Sequence, residues 1–184
     1  RMHTIEEYIS IIEELKTVVP DIGLSTDIIV GYPGESESEF EDTLALMKKI
    51  KFNNSYMFSY SSRPNTPAQD FPDSVPQLVK STRLQRTIEL QKRLTLEQGK
   101  KFIGKEVDVL VESESFKLGA DFRGRNAQYW SVNFTGDKRL IGLGDMVKVI
   151  VEETSGHMLK GRSVLLSKNE KPMVVESKAA VSVG

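Results

Sequence analysis

The chain of 184 residues contains no cysteine. That excludes disulfides and thiolate metal ligation within it, and it fits a reducing, cytoplasmic setting. Its two histidines, His3 and His157, are too few and too scattered for a metal site, so no metal ligands are expected here. No apolar run approaches the ~18 residues that a membrane span needs. The opening Arg1, Met2, His3 and Thr4 lack the apolar core of a signal peptide, so a membrane is not an expected partner. Proline is missing between Pro76 and Pro172, while glycines punctuate that stretch. What remains is ordinary for a globular protein: 39% hydrophobic and 28% charged residues.

Net charge is only −1, but it is unevenly spread. Residues 1–79 carry a net −7, residues 80–102 a net +5, and residues 103–165 balance to zero. The middle segment is thus a basic stripe between an acidic front and a neutral back. Such a stripe can bind phosphates or be a solvated helix face.

The front reads as alternating helices and strands. Thr4 and Glu7 form a capping box, and Ile5, Tyr8, Ile9, Ile12 and Leu15 recur at helical spacing until Pro20 ends the run. Residues 24–30 read as a strand, with Leu24, Thr26, Ile28 and Val30 on one face and Ser25, Asp27 and Ile29 on the other. Gly31, Tyr32, Pro33 and Gly34 make a turn into a second helix, capped by Ser36 and Glu39. Residues 55–60 read as the next strand. The order α-β-α-β with short connections indicates parallel packing. A proline-rich loop over residues 61–73 follows, and residues 74–77 read as the cap of a long helix reaching about Lys101.

From Gly104 the texture changes. Residues 106–111, 130–134 and 146–151 alternate, and short strands at this spacing imply a small all-β barrel or sandwich. The front half, by contrast, has about two parallel strands. These can neither close a barrel nor cover both faces of a sheet, so their edges would be open. It is expected to be the C-terminal part of a larger α/β domain, with the β module appended whole. The chain would then be a fragment whose front half folds poorly alone.

Three groups of residues carry chemistry. In the first, Gly31, Pro33, Gly34 and Glu35 offer close backbone approach and a helix N-terminus, although tight β/α turns also use glycine for conformation alone. Asp27 is a mid-strand carboxylate, costly to bury unless it faces a polar interior or a ligand; a structural hydrogen bond is the other reading. In the second, Ser61 and Arg63 lie just past a strand end, on the same end as the first group, and Arg63 could grip a carboxylate or phosphate or tie the loop to a helix. The third is the stretch from Phe122 to Trp130. Arg123 and Arg125 flank Gly124 with aromatics close by, a pairing of charge and stacking surface suited to single-stranded nucleic acid; Lys160 and Arg162 could add to it. A hairpin with exposed arginines is the plainer alternative. Trp130 is expected in the core, and His157 on a surface loop.

These residues resemble a known family. Residues 24–35, Glu39 and Phe40, residues 58–68, Val75 and Pro76, and residues 83–90 look like the back half of a radical S-adenosylmethionine barrel of the methylthiotransferases. Residues 104–112, Gly124, Arg125 and Asn126, Val132, Asn133 and Phe134, and Leu159, Lys160 and Gly161 look like the TRAM domain that these enzymes carry. The expected fold is therefore an α/β partial radical-SAM (TIM-like) barrel segment over residues 1–79, a basic connecting helix over 80–102, a TRAM (OB-like) β-barrel over 103–166, and a disordered tail over 167–184.

The resemblance implies an enzyme that inserts a methylthio group into an unactivated C–H bond. It implies S-adenosylmethionine and two 4Fe-4S clusters as cofactors, and tRNA and the missing N-terminal part of the same enzyme as partners. The stretch from Gly124 to Phe134 is nearest the branch acting at C2 of isopentenyladenosine beside the anticodon. Related branches modify threonylcarbamoyladenosine in tRNA or a ribosomal-protein aspartate. By this resemblance Asp27, Gly31, Pro33, Gly34, Glu35, Ser61 and Arg63 would line the S-adenosylmethionine site. Arg83, Arg86, Arg123, Arg125, Asn126, Lys160 and Arg162 would engage RNA. The family's Cys-x3-Cys-x2-Cys motif is absent from this chain, which cannot hold such clusters by thiolates and is expected to be inactive alone. A non-catalytic RNA-binding module is the rival reading.

Overall fold

A computed structural model describes residues 4–72, 75–117 and 119–164; the expected tail lies outside these. Helix α1 (Ile5–Val18) starts on the Thr4–Glu7 capping box, and α2 (Glu37–Ile50) on the Ser36–Glu39 box. Between and after them run β1 (Ser25–Val30) and β2 (Asn54–Ser59), paired in parallel with Ser25 opposite Asn54 and Val30 opposite Ser59. The proline-rich loop holds a short 3-10 helix, Pro67–Asp70. Helix α3 (Gln77–Lys100) follows, with Pro76 at its N-cap and no side-chain cap. The cap expected over residues 74–77 falls at Pro76, which pre-sets the entry angle and donates nothing; position 74 lies outside the described residues.

One face of the two-stranded sheet is covered. Ile28 and Val30 pack with Phe40, Leu44 and Met47 of α2 and Leu90 and Leu94 of α3. A polar seam reinforces this: Ser55 Oγ donates to Gln91 Oε1 at 2.8 Å, and Gln91 Nε2 donates to the Phe52 carbonyl and the Thr95 hydroxyl, both at 2.9 Å. Helix α1 joins through Ile12, packed on Ile50 and Phe52. The other face is open: Ile29, Tyr56 and Phe58 are more than half exposed, and Asp27 is exposed among them. The α/β unit is thus a two-stranded sheet with helices on one side, and no closed α/β barrel is formed by the described residues.

The C-terminal unit is a closed five-stranded barrel. Its strands are β3 (Glu106–Glu114), β4 (Phe122–Asn126), β5 (Ser131–Thr135), β6 (Met146–Ser155) and β7 (Met158–Ser163), in the order β3-β4-β5-β7-β6. The β5–β7 pair is parallel and the others are antiparallel. Val109, Val111, Phe122, Trp130, Val132, Phe134, Val149, Val151 and Leu159 fill the interior.

Two matched corners let so small a barrel close. In β3 the register shifts between Val111 and Ser113, opposite Gly124; in β6 it shifts between Val151 and Glu153, opposite Gly161. A Cβ on either glycine would strike a backbone carbonyl, that of Leu110 or of Ile150. Only glycine allows the strands to approach this closely at a bulge. The residues left out of register, Glu112 and Glu152, reach Arg125 (3.7 Å) and Arg162 (3.0 Å).

Candidate nucleic-acid interface and strand-end site

The turn and loop candidates Gly31 to Glu35, Ser61 and Arg63 lie at one end of the α/β unit and Arg123 and Arg125 face the other; Arg83 and Arg86, expected with the RNA set, lie at the first end. At the C-terminal ends of β1 and β2, Gly31 and Gly34 both take left-handed backbone (φ 73° and 84°), which glycine adopts without cost. A side chain on Gly31 would also collide with the stem of buried Lys80. The turn is locked from within. Glu35 Oε2 accepts from the Gly31 amide and from Arg83 Nη1, each at 2.7 Å, and the Glu35 amide donates to the Tyr32 carbonyl at 2.8 Å. Arg83 also donates to the Glu35 carbonyl (2.9 Å) and, through Nε and Nη2, to Glu37 Oε2 (3.3 and 3.0 Å). Arg86 pairs with Glu37 at 2.8 Å and with Glu41. The hydrogen bonds from Arg83 and then Arg86 hold the Glu37 carboxyl below its ordinary range. Both guanidiniums lie over the Phe40 ring, at 5.3 and 4.8 Å.

This placement changes how two expected groups read. Arg83 is buried and its guanidinium is occupied inside the fold, while Arg86 is half-exposed and faces the α2 carboxylates. The excess positive charge of the connecting helix is thus partly matched by the acidic start of α2. That is tertiary pairing between residues 45 to 49 apart, which a local charge count does not reveal. Glu35 and the Gly31 amide likewise serve the turn itself. Pro33 and Gly34 remain accessible, with open space over the Gly34 Cα. Ser61 and Arg63 are exposed just past β2, and Asp27 is exposed on the open sheet face. Sequence reasoning missed the aromatic ledge here. Tyr32 packs edge-on against Tyr60 (5.3 Å) and Phe71 (6.4 Å), and the Lys80 ammonium lies 5.2 Å over the Tyr60 ring.

At the other end, the N-terminal ends of the strands face the β4–β5 hairpin of the barrel across a cleft of about 530 Å³, within the usual range of ligand sites. Arg123 and Arg125 both line it, with Tyr56 from β2 and His157 from the β6–β7 turn. No described acidic side chain lines it. Asn126 is buried: its Oδ1 accepts from the Gln128 and Trp130 amides (3.2 and 2.9 Å), and its Nδ2 has no partner among the described residues. It therefore shapes the hairpin. Tyr129 closes the tip at φ 65°, 78% exposed, with the Arg125 guanidinium 5.2 Å over its ring. A bulky residue in left-handed backbone is strained, and such strain gathers where a side chain must be presented. Lys160 pairs loosely with Glu153 (3.8 Å), while Arg162 is exposed beside Glu152; neither lines the cleft.

Trp130 lies in the barrel core, as expected, but it is also the hinge-pin of the junction. Its ring contacts Phe102 (5.6 Å) and His157 (5.8 Å), and a Cβ on Gly99 of α3 would lie 3.2 Å from it. Burial lowers the His157 pKa below the ordinary histidine value. Among the described residues no group of histidine, cysteine and carboxylate side chains could hold a metal, and no helix is long and apolar enough to cross a membrane.

Comparison with known proteins adds a second line. Residues 100–164 match the TRAM domain family. The chain is 43% identical over 164 residues to the tRNA-2-methylthio-N(6)-dimethylallyladenosine synthase of Acetivibrio thermocellus, covering 89% of this chain and 34% of that protein. It is 42% identical over 149 residues to the protein of the same name from Protochlamydia amoebophila, covering 81% and 33%. With that of Flavobacterium johnsoniae it shares 40% over 168 residues, covering 91% and 34%. The chain spans about a third of the length of the curated relatives it matches, and it resembles their TRAM-bearing region.

Proposed function

We propose that this chain is the C-terminal part of a tRNA methylthiotransferase, and that it acts on N(6)-dimethylallyladenosine, adding a methylthio group at C2. The observation that carries this is continuity: one resemblance, at about 40% identity, runs through both the α/β unit and the barrel. A borrowed RNA-binding barrel on an unrelated body would match over the barrel alone. In this reading the setting is cytoplasmic, which a tRNA substrate fits.

In this reading the open sheet face is lined by the N-terminal part of the same enzyme, and the α/β unit is one segment of a radical-SAM barrel. The residues present suit part of an S-adenosylmethionine site and do not suit an iron-sulfur cluster, for which the chain has no thiolate. Pro33, Gly34, Ser61, Arg63 and Asp27 are accessible and would line the ligand, while Gly31 and Glu35 hold the turn. S-adenosylmethionine, where bound, supplies the radical chemistry; these residues position it. RNA lies at the other end, on Arg123 and Arg125, with Asn126 bracing the hairpin and Lys160 and Arg162 adding outlying charge. Arg83 and Arg86 act inside the fold.

Two measurements test this. Nucleosides from tRNA treated with the full-length, cofactor-loaded enzyme should contain the 2-methylthio product by mass spectrometry; its absence would remove the enzymatic reading. In the same enzyme, Arg123→Ala with Arg125→Ala should weaken tRNA binding about tenfold or more and make the slope of log affinity against log salt shallower by about 1.5. Unchanged affinity and slope would sink the RNA assignment.

A further inference from the structure

The three helices of the α/β unit all end at the same side of the molecule, and their last turns meet the start of the barrel. There a pocket of about 290 Å³ is lined by Lys16, Lys49, Lys51, Lys101 and Lys105, with Asp21 the one acidic lining residue. It shares Leu24, Asn53 and Gln128 with the cleft under the β4–β5 hairpin, so the two form one continuous trough. Lysines near helix C-termini complement the helix dipole, which explains one per helix and not five around one hollow. They are also incompletely neutralised. Lys49 pairs with Glu13 at 3.5 Å with both side chains more than half exposed, and Lys16 Nζ donates to the Ile50 carbonyl at 2.7 Å. Burial lowers the Lys16 pKa most; the charge of Lys101 pushes the same way, Glu13 pulls back less strongly, and Lys51 adds the smallest push downward. Lys51 further takes left-handed backbone (φ 57°) at the α2 C-cap, a position that glycine or asparagine ordinarily fills.

We propose that this lysine-lined pocket binds backbone phosphates of the RNA, carrying the strand from the barrel hairpin across the junction onto the α/β unit. The proposal rests on the RNA reading above and adds a second grip to it. The occupant must be anionic, because four net positive charges line a small hollow, and polyanionic, because the hollow continues into the arginine-lined cleft. Phosphodiesters spaced along a single strand fit both conditions. The grip is sequence-independent, since point charges on lysine read no base edge.

The test uses the full-length enzyme with Lys51→Asn, Lys101→Gln and Lys105→Gln combined. Asparagine tolerates the left-handed cap, and Lys16 and Lys49 keep their internal partners. A control carries Lys138→Gln, Arg139→Gln and Lys148→Gln, an equal charge change on barrel residues outside the trough. The trough variant should melt like the parent and bind tRNA on the order of tenfold more weakly, with a salt slope shallower by about 2; the control should change far less. Equal affinity and slope in trough and control variants would overturn the proposal. So would a pocket that inorganic phosphate stabilises in a melt while tRNA affinity ignores the substitutions, which would mark it as a free-anion site. If the Arg123/Arg125 variant loses tRNA binding while the trough variant does not, this inference fails and the RNA reading stands. If the parent enzyme binds no tRNA, both fail.

Discussion

The two halves of this molecule solve the same problem in different ways. Both must satisfy strand edges and bury apolar faces. The barrel does so within itself: every strand has two neighbours, and a closed ring of nine buried apolar side chains fills the centre. Among the described residues the α/β unit has one covered face, one open face and two strands with free outer edges. It compensates with polar fastenings, the Ser55–Gln91–Thr95 seam and the Arg83–Glu35–Glu37 clamp. Closure makes a unit autonomous; fastenings make a unit that keeps its shape while waiting for a partner surface.

Substitutions can break or sharpen this contrast. The largest effect is expected from Trp130→Ala, which empties the barrel core and strips Gly99 of its contact. A loss of about 3–5 kcal/mol is expected, read by circular dichroism in urea because Trp130 is the only tryptophan. Arg83→Met should come next, at about 3 kcal/mol, because it leaves the Glu35 carboxylate short of its buried partner. A loss under about 1 kcal/mol would mean that the clamp is not what holds the α/β unit.

These two sites show how far the residues could be read in sequence. Both capping boxes, the face assignment of β1 and the core place of Trp130 follow from local pattern. Three barrel strands are legible in the alternation over residues 106–111, 130–134 and 146–151; β4 and β7 are not, and neither is the strand order. The parallel β5–β7 pair and the two glycine corners are long-range pairings, and nothing local marks Gly124 and Gly161 as sites of backbone contact. The site was legible less evenly. The arginines of β4 announce themselves by type and spacing. Arg83 is of the same type, but its partners lie 46 and 48 residues away and carry no local mark. The five trough lysines are scattered from Lys16 to Lys105 and become a group only when three helix ends converge. Tyr129 carried no signal beyond being aromatic, because its significance is its backbone angle.

Two smaller effects complete the test. Phe58→Ser on the open sheet face should cost no more than about 0.5 kcal/mol in the chain studied alone, and clearly more in the full-length enzyme if the proposed N-terminal part covers it. A cost above about 2 kcal/mol in the chain alone would show the face to be packed already. The smallest effect is expected from His157→Gln. The folded-state pKa of His157 is depressed, so the unfolded chain binds the proton more readily. Stability should therefore be full above the unfolded value of about 6.5 and decline as pH falls below it. His157→Gln should flatten that decline between about pH 7 and pH 5; parallel melting curves for both proteins across that range would contradict it.

Helix α3 touches both ends of the molecule. Its first turns bury Lys80 and Arg83 under the Gly31 turn, and its last places Gly99 beneath Trp130. At 24 residues it is about 36 Å long. It is therefore a caliper with fixed jaws. A polymer seated on the barrel meets the strand-end turn at a distance set by one rod, and inserting or deleting a helical turn would reset that distance by about 5 Å without altering a residue at either end.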